Sequence, residues 1–286
     1  MGRMTNGESA HYWQSPRLPG VDLLRARYIR KTFSRHTHGT YVIAAIVEGV
    51  EAFHHGGGVH RVGPGGLALI NPDTTHTGHA GIPEGWRYEV LYPDPALVSR
   101  IAAETTSIRG TPGFAVPAAH DPASVRHVRA VHRALEEGNA LAADSHLHAL
   151  VARLLRLHGR PLPERTVRMA GARGTARARA ILEERMADPP SLEALAAELG
   201  TGPFALLRAF RQMYGMPPHA WLTDARVHRA RALLDAGMPP ARTAVAVGFT
   251  DQAHLTRHFG RIVGVPPGAY QRGRARMYKT RERSAS

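Results

Sequence analysis

The apolar residues in the first third of the chain occur in short runs. Residues 42–47 and 67–70 are apolar, and residues 86–92 alternate between apolar and polar. Glycine-rich turns at 56–58 and 63–66 separate these runs. Short strands at close spacing, joined by Gly and Pro turns, are typical of a small barrel or sandwich. We therefore predict an N-terminal β-barrel domain.

The pattern then changes to a helical period. Two apolar stripes at spacings of three and four residues predict a pair of helices, and Gly138-Asn139 breaks the chain between them. We predict an αα-hairpin. Its stripes consist of Val125, Val128, Val131 and Leu135 in the first helix and Leu147, Leu150, Leu154 and Leu157 in the second.

A segment rich in proline and arginine follows, and beyond it the pattern is helical to the end. Residues 161–174 show no periodicity, so we predict an interdomain linker there. Ser191 is a favourable N-cap, and Pro203 suits the first turn of another helix. The chain therefore divides into a domain at 1–160, the linker and a helical domain at 175–286, which gives an α+β fold class.

The helical part contains an internal repeat with a period of about 49 residues. The stretch 196–200 corresponds to 244–248, and each copy reads as a short helix, a glycine turn and a second helix. That arrangement is the signature of a helix-turn-helix unit. Further matching pairs are Phe210 with Phe259, Gly215 with Gly264, Pro217-Pro218 with Pro266-Pro267, and Trp221 with Tyr270.

Charge supports a nucleic-acid partner. The net charge is +14, and residues 161–286 hold 20 basic and 10 acidic residues, whereas residues 1–160 hold 17 and 13. A basic domain of this kind points to a polyanion. The chain has no cysteine, which excludes disulfides and thiolate chemistry. No apolar run approaches the roughly 18–20 residues that span a bilayer, so we expect a cytoplasmic protein.

The second repeat carries a specific resemblance. Residues 248–259, GFTDQAHLTRHF, followed by GVPPGAY at 264–270, closely resemble the second helix-turn-helix of AraC/XylS-type transcription regulators. The first copy, 195–222, resembles that family's first unit. The resemblance implies seven helices, recognition helices at about Pro203–Tyr214 and Asp251–Val263, and a connector at His219–Ala236. The implied base-reading residues are Phe204, Leu207 and Arg208 in the first copy and Gln252, Ala253, Thr256 and Arg257 in the second.

This sequence departs from the family pattern at several of these positions. Three of the seven base-reading residues are apolar and cannot donate hydrogen bonds, although they can contact thymine methyl groups. Gly202 stands where the family usually has a capping serine. Gly260 replaces a common lysine, which removes an expected phosphate contact.

The N-terminal region resembles the cupin-like sensor domain that often precedes such DNA-binding units. His36-Thr37-His38 and His76 match its two short motifs over about residues 20–95, and residues 1–18 lie outside the match. We expect a small-molecule effector pocket without a metal, because small barrels can hold one ligand in their mouth. The expected effector-binding residues are His36, His38, Tyr41, His76 and Trp86.

Three functions remain open. The leading one is a transcription regulator with no catalytic activity and no cofactor, which binds operator DNA and a small-molecule effector, forms a homodimer and acts on RNA polymerase. The second is a metal-dependent cupin enzyme fused to a DNA-binding domain, since two histidines, a glutamate and a third histidine hold the ion in such enzymes. Here Glu48 lies ten residues after His38, and 18 histidines make chance pairing common. The third is an architectural DNA binder without a pocket.

Overall fold

A computed structural model describes residues 2–3, 7–162 and 169–274 of the chain. It contains two compact units, one built mainly from residues 1–162 and the other mainly from residues 163–271. The first is rich in strands and the second is helical, which confirms the α+β class. Within the described ranges, no helix is both long enough and apolar enough to cross a membrane.

The first unit contains a seven-stranded antiparallel sheet in the order β1-β2-β3-β10-β5-β8-β12, a four-stranded sheet in the order β4-β9-β6-β7, and the pair β11-β13. Among the described residues the strands form separate sheets rather than one closed barrel. The strands are β1 Gly2–Arg3, β2 Ser9–Gln14, β3 Val21–Tyr28, β4 Thr32–His36, β5 Val42–Gly49, β6 Glu51–His55, β7 Gly58–Val62, β8 Gly66–Ile70, β9 His76–Ala80, β10 Trp86–Pro93, β11 Pro112–Phe114, β12 Ala118–His120 and β13 Gly159–Pro161.

Three helices cover one face of the large sheet. They are α1 Pro95–Thr105, α2 Pro122–Glu136 and α3 Ala140–His158. The last two form the expected hairpin, and the Asn139 side chain caps α3 after a left-handed glycine at 138. The apolar stripes of the hairpin pack on the sheet in one core. Leu157 is an exception, because it is 53% exposed, and Val151 and Leu155 are buried instead.

Within residues 169–274 the structure shows seven helical segments, as the resemblance implies. The connector is α7, which begins one residue before the predicted start and ends one residue before the predicted end. α4 begins at Met169, inside the segment predicted as a linker, and residues 163–168 lie outside the described residues. The segments are α4 Met169–Glu184, α5 Leu192–Glu198, α6 Pro203–Tyr214, α7 Pro218–Asp235, α8 Pro240–Ala246, α9 Gln252–Val263 and α10 at 267–274.

The internal repeat is visible in the packing as well as in the sequence. Phe210 contacts Trp221 edge-on with their ring centroids 6.0 Å apart, and the matching rings of Phe259 and Tyr270 are 5.3 Å apart in the same arrangement. α6 and α9 both end at a left-handed glycine. The two copies therefore share a core contact and a helix stop, which confirms the duplication.

Candidate DNA interface and effector site

The first candidate recognition helix is α6, which lies between a buried and an exposed face. Leu206 and Phe210 are buried in the core of the first helix-turn-helix. Phe204 is 77% exposed and Arg208 is exposed, while Leu207 is half-buried beside them. Gly202 is the N-cap of α6. Because glycine has no side chain, α6 lacks the capping hydrogen bond that a serine at this position would accept. All three predicted base-reading residues thus avoid the buried face.

The second candidate recognition helix is α9, and it has the same organisation. Its predicted start at Asp251 is one residue early, because Asp251 is the N-cap and accepts a 2.7 Å hydrogen bond from the backbone N–H of His254. Leu255 and Phe259 are buried. Among the residues predicted to read bases, Gln252, Ala253 and Arg257 are exposed. Thr256 is half-buried.

Sequence reasoning missed two arginines on these helices. Arg211 and Arg261 are exposed in the last turns of α6 and α9. Guanidinium groups are well suited to phosphate contacts, because each presents a rigid fork of donors. The signal was available in the sequence, since each arginine follows a buried phenylalanine by one or two positions.

In the first unit, the structure brings two of the predicted effector residues together. His38 and His76 are buried, and their ring centroids lie 5.1 Å apart. His36 is also buried, but it belongs to the second compact unit. His36 Nδ1 is 2.7 Å from the carbonyl of Ser34, and His76 Nδ1 is 3.1 Å from that of Thr74. A carbonyl only accepts, so both Nδ1 atoms carry the proton in these contacts. Burial lowers the pKa of His36 and favours its neutral form.

Trp86 lies in a cluster of aromatic rings, whereas Tyr41 lies in the core between the large sheet and the helices. The Trp86 ring contacts Tyr28 and Tyr88, at centroid distances of 5.4 and 5.8 Å. Tyr41 packs against Phe114 in the core beneath the helices, and its hydroxyl donates to the carbonyl of Pro112. Tyr41 therefore faces the helical layer, and the structure does not bring it to the histidines.

Glu48, the carboxylate of the cupin alternative, is also outside the histidine cluster. It is exposed and forms a 2.6 Å ion pair with Arg87. The hydrogen bond from Arg87 lowers the pKa of Glu48. A carboxylate in this position is a surface group and not a fourth ligand.

Glu51 is the interior carboxyl that sequence reasoning missed. It opposes Ala80 in the pairing of β6 with β9, as His55 opposes His76, so these four residues share one face of the small sheet. Glu51 is buried, and burial raises its pKa to about 8. The signal was the period of two in β6, which places Glu51, Phe53 and His55 on one face.

Comparisons with known proteins find matches to both the strand-rich part and the helical part of the chain. The family model described as an AraC-like ligand binding domain matches residues 18–151, and the one described as a helix-turn-helix domain matches residues 195–273. The chain is 26% identical over 243 residues to an uncharacterized HTH-type transcriptional regulator, YbfI of Bacillus subtilis, covering 82% of this chain and 86% of the relative.

Two other matches extend the comparison. The Arabinose operon regulatory protein of Salmonella typhimurium is 31% identical over 83 residues, covering 29% of this chain and 30% of the relative. The crystal structure of ToxT from Vibrio cholerae O395 aligns with a TM-score of 0.54 at 10% identity, covering 93% of this chain and 97% of ToxT. Another ToxT structure of similar likeness, TM-score 0.52, holds an unsaturated fatty acid. The structural likeness concerns the fold.

Proposed function

Because the chain belongs to the AraC-type transcription regulators, we propose that it reads operator DNA through α6 and α9. The observation that carries this proposal is the shared geometry of the two helices, each with one buried face and one solvent-exposed face. The residues that we assign to base reading are Phe204, Leu207, Arg208, Gln252, Ala253, Thr256 and Arg257.

The length of α7 supports binding of both helices to one face of the duplex. Its 18 residues correspond to about 27 Å at 1.5 Å per residue. Successive major-groove faces on one side of B-DNA are roughly 34 Å apart. With the short turns at its ends, the connector can place the two recognition helices about one helical turn apart.

Equilibrium binding to a matched site, a single-base variant and random DNA tests the assignment. If Arg257 reads guanine, Arg257→Ala should cost roughly 1–3 kcal/mol on the matched site and relax the preference at one position. If Arg257 contacts only phosphate, affinity should fall evenly and the salt slope should shrink by about one. Arg109→Ala, which removes an exposed arginine from the first unit, is the control. Equal affinity of Arg257→Ala and the parent chain for all three DNAs would contradict the model.

We propose that a small polar molecule bound in the first unit controls this binding, with His38, His76 and Trp86 around it. The family model for residues 18–151 supports a ligand-binding role. Calorimetry of the full chain against a metabolite panel, repeated with DNA present, tests it. A ligand that changes operator affinity supports the proposal, and ligands that bind without changing it would contradict control by that site.

A divalent metal ion is a second candidate for the histidine cluster. The imidazole rings of His38 and His76, 5.1 Å apart, with His76 oriented by the carbonyl of Thr74, fit the donor type and outer-shell support of transition-metal sites. Such an ion would leave coordination positions open for an effector. Zn²⁺ titration of the chelator-treated chain tests it, comparing His76→Ala with His79→Ala on the outer face of β9. Equal Zn²⁺ affinity of the two variants would exclude the histidine cluster as the metal site.

We further propose that the chain acts as a cytoplasmic homodimer, as a regulator rather than an enzyme, and that it contacts RNA polymerase. The family resemblance supports the dimer, although the hairpin stripe is already covered by the chain's own sheet. Sedimentation at micromolar concentration tests it, and a monomer both with and without DNA would exclude it. Transcription in vitro with purified RNA polymerase tests the proposed contact between the chain and the polymerase.

A further inference from the structure

Five buried side-chain polar atoms of the first unit lack hydrogen-bond partners among the described residues. Two of them are Oε2 of Glu51 and Nε1 of Trp86, and the other three belong to Arg25, Glu89 and His132. Glu51 lies on the small sheet and Trp86 on the large sheet. Buried polar groups in native proteins are almost always paired, so an orphaned acceptor and an orphaned donor in one interior indicate a missing partner.

The two atoms belong to one aromatic interior. Phe33 lies 5.5 Å from Tyr28 and 6.5 Å from Trp86, measured between ring centroids. A Cβ at position 78 would lie 3.2 Å from Phe33 and 3.4 Å from Oε1 of Glu51, so ring and carboxyl meet above the same glycine. Glu51 also acts electrostatically on Tyr88, whose pKa is raised mainly by burial. Phe33 therefore lies beside the carboxyl and Tyr88 lies within its electrostatic reach, and Tyr28 and Trp86 contact both of these rings.

A carboxyl group among aromatic rings favours a cation. The faces of Tyr, Trp and Phe rings carry negative potential and attract ammonium groups, most strongly away from water. The chain itself shows this preference nearby, where Lys31 Nζ lies 5.4 Å from the Phe33 centroid and 5.9 Å from that of Tyr28. A cation beside Glu51 favours the ionised carboxylate over the protonated form that burial otherwise favours, whereas an anionic ligand would oppose that ionisation.

We propose that the interior of the first unit binds a compact organic cation, with its charged nitrogen at Glu51 and a hydrogen-bond acceptor at Trp86 Nε1. This inference rests on the proposed effector role of the unit and specifies the ligand's chemistry. Glu51 is then the residue that selects charge, and Trp86 contributes both a ring face and a donor. A neutral molecule of the same shape satisfies the acceptor contact at Trp86 but leaves Glu51 protonated and without an ion pair.

Calorimetry of the full chain with matched pairs of small molecules tests the proposal. The pairs are choline with 3,3-dimethylbutan-1-ol, ethanolamine with ethylene glycol, and 2-phenylethylamine with 2-phenylethanol. We expect at least one amine to bind about tenfold or more tightly than its neutral partner, since ion pairing and cation–π attraction add to the shared contacts. Equal binding within every pair, or no binding by any amine, would overturn the proposal.

Three variants then identify the selecting residue. Glu51→Gln should abolish the preference for the amine, and Trp86→Phe should weaken binding several-fold while keeping the preference. Glu48→Gln removes the same charge from the surface and should change nothing. Persistence of the preference in Glu51→Gln would overturn the proposal, provided that circular dichroism shows a folded variant.

The outcome also separates this proposal from the proposed function. Should a neutral ligand alter operator binding as strongly as an amine does, the effector role stands and cation selection fails. If a bound amine leaves operator binding unchanged, cation binding stands and effector control fails.

Discussion

Replacing Glu51 with glutamine should stabilise the ligand-free protein at neutral pH. In the unfolded chain the carboxyl ionises near its ordinary value of 4.5, whereas burial raises its folded pKa to about 8. Folding therefore requires Glu51 to take up a proton across this pH range. A raised carboxyl pKa means that the full stability is present below 4.5 and is lost as the pH rises toward 8.

The size of the effect follows from the same two values. Each unit of pKa difference is worth about 1.4 kcal/mol, and linkage between 4.5 and 8 predicts a loss of about 3 kcal/mol on going from pH 5 to pH 7.5. Glutamine has nearly the same shape and does not titrate, so this loss should be absent from Glu51→Gln. Urea unfolding of both proteins at pH 5 and pH 7.5 gives the change in unfolding free energy with pH for each protein. The difference between these two changes isolates Glu51, because the other titrating groups are the same in both proteins.

Glu48→Gln is the matched control, because Glu48 is exposed and paired with Arg87. It should leave the pH dependence of unfolding close to that of the parent chain. A Glu51→Gln variant that loses stability between pH 5 and pH 7.5 as steeply as the parent would refute the reasoning, since Glu51 would then ionise normally in the folded state.

Three further predictions concern a buried histidine, core packing and a helix cap. Burial lowers the pKa of His132 to about 3, so its contribution to stability is present above pH 6.5 and is lost as the pH falls. In urea unfolding, the parent chain should lose about 2 kcal/mol more than His132→Gln between pH 7 and pH 5. Equal losses would exclude a neutral buried imidazole. Leu154→Ala should cost about 2–5 kcal/mol without weakening self-association in sedimentation, because Leu154 is buried in the chain's own core, and dissociation without destabilisation would place it at an interface. Asp251→Ala should cost about 1 kcal/mol by loss of the α9 cap, and an unchanged melting temperature would show that the cap contributes nothing.

The sequence predicts the second unit better than the first for a physical reason. Helices there are short and carry their own boundary signals, such as Ser191 at the start of α5 and Gly264 at the end of α9, so local information suffices. The repeat supplies a further check, because each position must suit two copies. The errors are confined to helix ends and to the linker, where α4 begins earlier than expected.

The first unit depends on long-range pairing that no local pattern records. Residues 9–14 lie outside the segment that resembles the sensor domain, yet they pair with β3 in the large sheet. Tyr41 and Trp86 were assigned to one pocket, but Tyr41 lies on the face covered by helices. Glu51 was missed because its burial depends on rings contributed by strands far apart in the chain, including Tyr28 and Tyr88.

Hydroxyl-radical footprinting tests the central claim most directly. DNA selected from a random pool by the full chain would be probed with the parent protein, Arg208→Ala and Arg257→Ala. We expect two protected segments about 10 base pairs apart on one face of the duplex, with each variant weakening a different segment. A single protected segment, or equal weakening of both segments by either variant, would contradict a regulator that reads DNA with two recognition helices.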